Sequence, residues 1–241
     1  MRNASSRDQA QIAAVPVGLI WKAVLALGGS LVVLGALLCL LAGRLNWVMA
    51  WVLLGVMGVC LMINLTVLRR VNPEVIDERL HIRKGIKGWD KVLNAIMGVV
   101  VFSTLIVAGL NQRYSWSPQI PLWLQLAGVV PVVLGDLFFL WGMAVNKFFS
   151  KYVRIQEERG HYVVTAGPYQ YVRHPGYVGW IVMWIGMTLM LGSLWAFVPT
   201  GLTVLLVLVR TVLEDRTLKE ELEGYSEYAE RVRYRLLPGV W

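Results

Sequence analysis

Cysteine, histidine and charge are all scarce in this chain of 241 residues. Its two cysteines, Cys39 and Cys60, both fall in long apolar runs, which excludes a CxxC metal site and argues against a disulfide framework. The three histidines are His81, His161 and His174, and no His/Cys/carboxylate set has metal-ligand spacing. No metal is therefore expected. No Ser-His-Asp or Cys-His arrangement stands out, and the GxGxxG and P-loop patterns are absent. No internal repeat is visible, which weighs against the inverted-repeat transporter folds. Charged residues make up 16% of the chain against 57% hydrophobic, the balance of an integral membrane protein.

Long apolar runs are what the chain does have. Val17–Ala42, Trp47–Leu68, Val92–Leu110 and Pro121–Val145 can each cross a hydrocarbon core of roughly 30 Å. Two shorter runs, Tyr177–Leu191 and Leu194–Val209, are separated only by Gly192-Ser193 and predict a tight helical hairpin. The expected fold is all-α: a polytopic membrane protein of about six transmembrane helices, with a short C-terminal hairpin and a cytoplasmic amphipathic helix after it. Residues 1–146 read as a four-span scaffold and 147–241 as the region that carries the motifs. The polar N-terminus runs into an apolar stretch too long for a cleaved signal, so the first run reads as a retained span.

Charge placement gives an orientation. Arg2 and Arg7 precede the first span, and Arg69, Arg70, Arg79, Arg83, Lys84, Lys87 and Lys91 lie between the second and third. Lys147, Lys151, Arg154, Arg159 and Arg173 lie between the fourth and fifth, whereas the intervening loops carry only Arg44 and Arg113. By the positive-inside rule both termini and both large loops face the cytoplasm, and a bacterial cytoplasmic membrane is the expected location. Trp47, Trp51, Trp116, Trp123 and Trp195 gather near the opposite interface. The net charge of +8 is thus topological, with membrane lipids as partners and no nucleic acid. The basic segment 69–91 is expected to lie on anionic lipid as a topogenic loop, with His81 at the surface. Within the spans, Asp136 should pair with a neighbouring helix and Asn64 should make an interhelical hydrogen bond.

The segment His161–Trp180 differs from an ordinary connector. Gly167-Pro168 is a turn signal, and Pro175 holds His174 out of helical geometry. So constrained, the loop presents Tyr169, Arg173, His174 and Tyr177 in fixed positions at the membrane edge. Arg210 and Glu214, four residues apart on one helix face, emerge where the hairpin returns to that same edge. Arginine offers a planar fork for an anion, and glutamate can bind an ammonium or a ribose hydroxyl. Beyond Arg210, the residues Leu218, Leu222, Tyr225, Ala229 and Val232 share one helix face, opposite Glu220, Glu223, Glu227 and Glu230. Its acidic outer face makes a lid folded over the loop a better expectation than a helix lying on anionic lipid, with Gly224 as a weak point.

These motifs resemble a known family. His161-x-Val-Val-x-x-Gly-Pro-Tyr169, Arg173-His174-Pro175-x-Tyr177-x-Gly179 and Arg210-x-x-x-Glu214-Asp215 are similar to the isoprenylcysteine carboxyl methyltransferases, and in part to the phospholipid N-methyltransferases. The likeness covers about Gln156 to Pro238. It implies an S-adenosylmethionine-dependent enzyme without a Rossmann domain, releasing S-adenosylhomocysteine, with 147–241 as its catalytic region. It also implies a cofactor site at Gln156, His161, Tyr162, Val163, Val164, Tyr169, His174, Pro175, Gly176, Tyr177 and Glu214, with Arg210 on the substrate. Arg210 and Glu214 are the expected catalytic pair. The methyl acceptor is expected to be a lipophilic small molecule or lipidated substrate, foremost a prenylcysteine-like carboxylate. The alternatives are a phospholipid amine methyltransferase, an NADPH-dependent sterol-type reductase and a non-catalytic lipid-binding membrane protein. Two departures, Asp215 after Glu214 and Glu223 before Gly224, fall in the lid region.

Overall fold

The computed structural model describes residues 17–81 and 84–241. Arg2, Arg7 and Arg83 of the charge pattern lie outside the described residues. Among the described residues every regular element is helical: α1 (Val17–Ala42), α2 (Val48–Val71), α3 (Pro73–Leu80), α4 (Gly88–Tyr114), α5 (Leu122–Ala127), α6 (Val129–Val145), α7 (Pro175–Met190), α8 (Phe197–Glu221) and α9 (Tyr225–Arg231). Five stretches are long and apolar enough to cross a membrane: α1 from Val24, α2, α4, α5 with α6, and α8. This is an integral membrane protein. At 16 residues α7 is shorter, as the hairpin pattern predicts.

The apolar run at 121–145 is one span with a break inside it. Pro131 has no N–H to offer the carbonyl of Ala127, and the chain is interrupted at Gly128. That glycine also belongs to a seam between α6 and α7. A Cβ on Gly135 would stand 2.6 Å from the Gly179 carbonyl oxygen, and one on Gly179 would stand 2.5 Å from that of Gly135. Gly128 and Gly186 repeat the arrangement one heptad away, at 2.9 and 2.8 Å. The two backbones touch because small residues line the contact, the usual device where lipid supplies no hydrophobic drive for helix association. Gly135→Ala is therefore expected to lower stability by about 1–3 kcal/mol through overpacking, read as a drop in the thermal midpoint in detergent. Gly98→Ala, whose Cβ would meet open space, should leave it unchanged.

At one end the core holds Leu38, Trp47, Leu53, Val132, Met190 and Leu191. Trp195 donates to the Trp116 carbonyl at that end (3.3 Å). At the other end Leu68, Val75, Ile76, Leu140 and Met143 join α2, α3 and α6. Asn64 donates to Asp136 at 3.0 Å, the interhelical bond expected of both.

The segment 69–91 departs from expectation. Its described part is not a plain loop: α3 packs Val75 and Ile76 inward, and its acids hold the next connector. Glu78 is 5% exposed and takes a forked bond from Arg154 (3.0 and 3.1 Å). Arg154 also reaches Glu158, and Arg159 bonds Glu74. The reason is Val75 and Ile76, whose burial docks one face of α3 and turns its carboxylates toward basic residues that a pure positive-inside reading assigns to topology. His81 is exposed as expected, with its ring on Asp77 (3.0 Å).

Candidate functional site

Pro175 takes the first position of α7, where its fixed φ suits a helix start, and His174 before it sits at φ −125°, ψ 62°. Gly167, at φ +58°, opens a short 3-10 turn at Gly167–Gln170 that places Tyr169. The turn packs so closely that a Cβ on Gly167 would meet Trp141 Nε1 at 3.0 Å.

One buried carboxylate ties the loop down. Asp215 is 1% exposed and accepts from Arg173 Nε (2.7 Å) and Nη2 (3.0 Å), Tyr225 Oη (2.9 Å) and Arg235 Nε (3.2 Å). His174 Nε2 lies 3.4 Å from it. Arg173 further donates to the carbonyls of Val232 and Arg233, and its backbone N–H meets the Tyr234 carbonyl. The aspartate that departs from the family's pattern is thus a fastener joining loop, α8 and C-terminus.

The chain after Arg210 folds back over the loop, with one correction to the expected elements. No separate amphipathic helix starts there: α8 continues to Glu221, and the break at Gly224 (φ +78°) turns the chain into α9. The predicted face then closes on the loop, with Leu222, Tyr225, Tyr228 and Ala229 packed around Tyr169. Tyr228 donates to the Tyr169 carbonyl at 2.7 Å.

Beneath the lid is a cavity of about 750 Å³. Arg210, Glu214, His174, Gly176, Tyr177, Tyr169, His161, Tyr162, Val163 and Val164 all line it. Gln156 and Pro175 stand behind the wall. Gln156 is fully buried, holding the Phe148 carbonyl (2.7 Å) and accepting from Arg159 (2.6 Å). Pro175 serves as the helix start. The cavity's far part is apolar, lined by Met97, Val101, Trp180, Trp184 and Val207. From Tyr177 to Trp184 the α7 wall alone runs about 10 Å.

Arg210 and Glu214 share this cavity without pairing to each other. Arg210 Nε donates to Asp90 Oδ1 (2.8 Å) and Nη2 to Asp90 Oδ2 (3.3 Å) and the Lys151 carbonyl (2.8 Å). Its guanidinium also lies 5.4 Å from the Tyr177 ring centre. Nη1 has no hydrogen-bond partner among the described residues. Glu214 accepts from the Tyr177 hydroxyl. The Tyr177 ring is stacked on His174 at 5.7 Å. Asp90, fully buried at the start of α4, escapes a sequence reading, because one acid in a basic loop carries no visible partner.

His161 has a defined proton state. Its Nδ1 accepts from the Gln156 N–H (3.3 Å), so Nε2 keeps the hydrogen, and its ring packs on Phe148 at 4.3 Å. Burial, then the charges of Arg154 and Arg159, push its pKa from 6.5 down to about 4. Between those values the unfolded chain binds this proton more tightly, so stability is expected to fall as pH drops from about 6.5 to about 4. His161→Gln should flatten that part of a melting-point profile; an unchanged slope would contradict the assignment. Burial likewise raises Tyr169 above the usual phenol range, and Asn146 donates to its oxygen (3.0 Å).

Residues 126–221 match the model of the isoprenylcysteine carboxyl methyltransferase (ICMT) family. The resemblance carried by the motifs is borne out. Over 118 residues the chain is 34% identical to human protein-S-isoprenylcysteine O-methyltransferase, covering 46% of this chain and 40% of that protein. It is 28% identical over 149 residues to the B form from Arabidopsis thaliana, covering 58% and 66%. The chain spans about two fifths of the length of the mammalian relatives that it matches. A solved structure, that of the eukaryotic intramembrane Ras methyltransferase ICMT, has a similar fold: TM-score 0.53 at 18% identity, over 90% of this chain and 76% of the other. The ICMT match begins inside α5, so Asp90 and α3 lie outside it.

Proposed function

We propose that this protein is a membrane methyltransferase that uses S-adenosylmethionine to esterify the carboxylate of a prenylcysteine-like or other lipid acceptor. One observation carries the reading. The polar group set Glu214, Tyr177, His174 and Arg210 and an apolar arm between α4, α7 and α8 belong to one cavity. The basic residues of the loops at this end, against Arg44 and Arg113 at the other, support a cytoplasmic active face.

The donor set suits the cofactor. Glu214 offers a carboxylate to an ammonium, and the rings of Tyr169 and Tyr177 offer π-faces to a sulfonium. His161 Nε2–H and the Phe148 and Tyr162 rings can hold an adenine. Bound there, S-adenosylmethionine would supply a methyl group already activated on positive sulfur, so an ionised carboxylate acceptor would need no acid or base from the protein. The protein's own work is positional. Asp90 and the Lys151 carbonyl fix Arg210 so that Nη1 remains for the acceptor, and the lid excludes water. Holding two reactants in line can supply several kcal/mol of a barrier.

Calorimetry of S-adenosylhomocysteine against NADP tests the reading. Wild type should bind the former and not the latter, and Glu214→Gln should weaken it by about tenfold, as expected for losing a charged hydrogen bond. Binding of NADP alone would overturn it in favour of a reductase.

A further inference from the structure

Among the described residues, Arg79 is a cation without an anion. It stands on α3, outside the segment that matches the ICMT family. Its guanidinium lies 5.3 Å from the Phe139 ring centre and 5.7 Å from that of Phe149, and all three residues line the cavity. A guanidinium has five N–H donors. Among the described residues none accepts from Arg79 and no carboxylate pairs with it. The buried arginines of this end are all matched: Arg154 to Glu78, Arg173 to Asp215, Arg210 to Asp90.

The two phenylalanines hold the side chain in place. Phe149 is wedged against α7, where a Cβ on Gly176 would stand 2.7 Å from its ring. Arg79 is therefore fixed beside the helix start that carries His174 and Tyr177. It keeps open surface, as a group lining a cavity does, while protein atoms crowd its head. That crowding, then repulsion from Arg210, lowers its pKa to about 10, so it remains charged at neutral pH. Positive charge with unfilled donors beside an apolar wall favours an anion there. Glu214 is the cavity's carboxylate, and it is engaged by Tyr177.

We propose that Arg79 is the acceptor-recognising residue of this cavity, binding the carboxylate of a lipid whose tail lies along Met97, Val101, Trp180 and Trp184. This rests on the methyltransferase reading only in naming that carboxylate as the methyl acceptor. Arg210, its Nε and Nη2 already taken by Asp90 and Lys151, then adds one N–H rather than a fork.

The test is binding of two probes to the full chain in detergent, read by quenching of tryptophan fluorescence. The probes are S-farnesyl-N-acetylcysteine and its carboxamide, which differ only in the anion. Wild type should prefer the acid by about tenfold, the scale of a charge-assisted bond, and Arg79→Gln should reduce that preference at least threefold, the remainder coming from the Arg210 N–H. Its affinity for the amide and for S-adenosylhomocysteine should match wild type. A wild type without preference, an Arg79→Gln variant that keeps it, or a parallel loss of both probes would overturn the proposal. Should Arg79→Gln not fold, Arg79→Lys decides: a preference reduced at least threefold supports the fork, and an unchanged one refutes it. Intact preference without methyl transfer to the acid would sink the methyltransferase reading alone. Methyl transfer with preference unaltered in Arg79→Gln would sink the Arg79 subsite alone.

Discussion

Asp215→Ala is expected to release the lid and lower stability by about 3–5 kcal/mol, the range for removing one partner of a buried charge network. Arg173 would be left buried with only carbonyl acceptors, and Tyr225 and Arg235 would lose their shared carboxylate partner. Because those bonds join the loop, α8 and the C-terminus, the loss should be local before it is global. Limited proteolysis should cut first within 222–241 while the α6–α7 seam survives. Asp215→Asn, which keeps an acceptor and loses the charge, should fall between the two. If the alanine variant melts and cleaves as wild type does, Asp215 is not the fastener.

Arg210→Ala should cut methyl transfer by about 10²–10³-fold, the scale seen when one preorganised donor is removed from a reacting centre. Affinity for S-adenosylhomocysteine should stay within a few-fold of wild type, because Glu214 and the loop remain. Asp90→Asn should weaken turnover less, since it loosens Arg210 without deleting it. It should do so at unchanged cofactor affinity. Kinetics with cofactor and acceptor varied separately would decide. A collapse of cofactor binding in Arg210→Ala, with turnover of bound cofactor intact, would exchange the two roles.

Much of the fold is legible in the sequence because the bilayer imposes length and apolarity: each long run overlaps a span, and the Gly192-Ser193 break marks the hairpin. The constrained loop is equally readable, since Gly167, Pro168 and Pro175 act on their own neighbours. Long-range pairing is not. Glu78 with Arg154 and Asp90 with Arg210 join residues 76 and 120 positions apart, and nothing local marks them. The basic segment 69–91 therefore reads as topology alone. The glycine seam does leave a trace, in Gly128 and Gly135 and again in Gly179 and Gly186, each pair seven residues apart. Gln156 reads as a cavity residue because the likeness places it next to the loop, whereas its amide is spent on Phe148 and Arg159.

Incubating the purified protein with S-adenosylmethionine labelled in its methyl group and S-farnesyl-N-acetylcysteine asks whether both reactants meet in one cavity. Label should enter the lipid in wild type, be released by mild base as methanol, and enter about tenfold more slowly in Glu214→Gln when the cofactor is subsaturating. Label in a base-stable product would move the acceptor from carboxylate to amine. No transfer to any membrane lipid, from a protein that still folds, would contradict the enzyme itself.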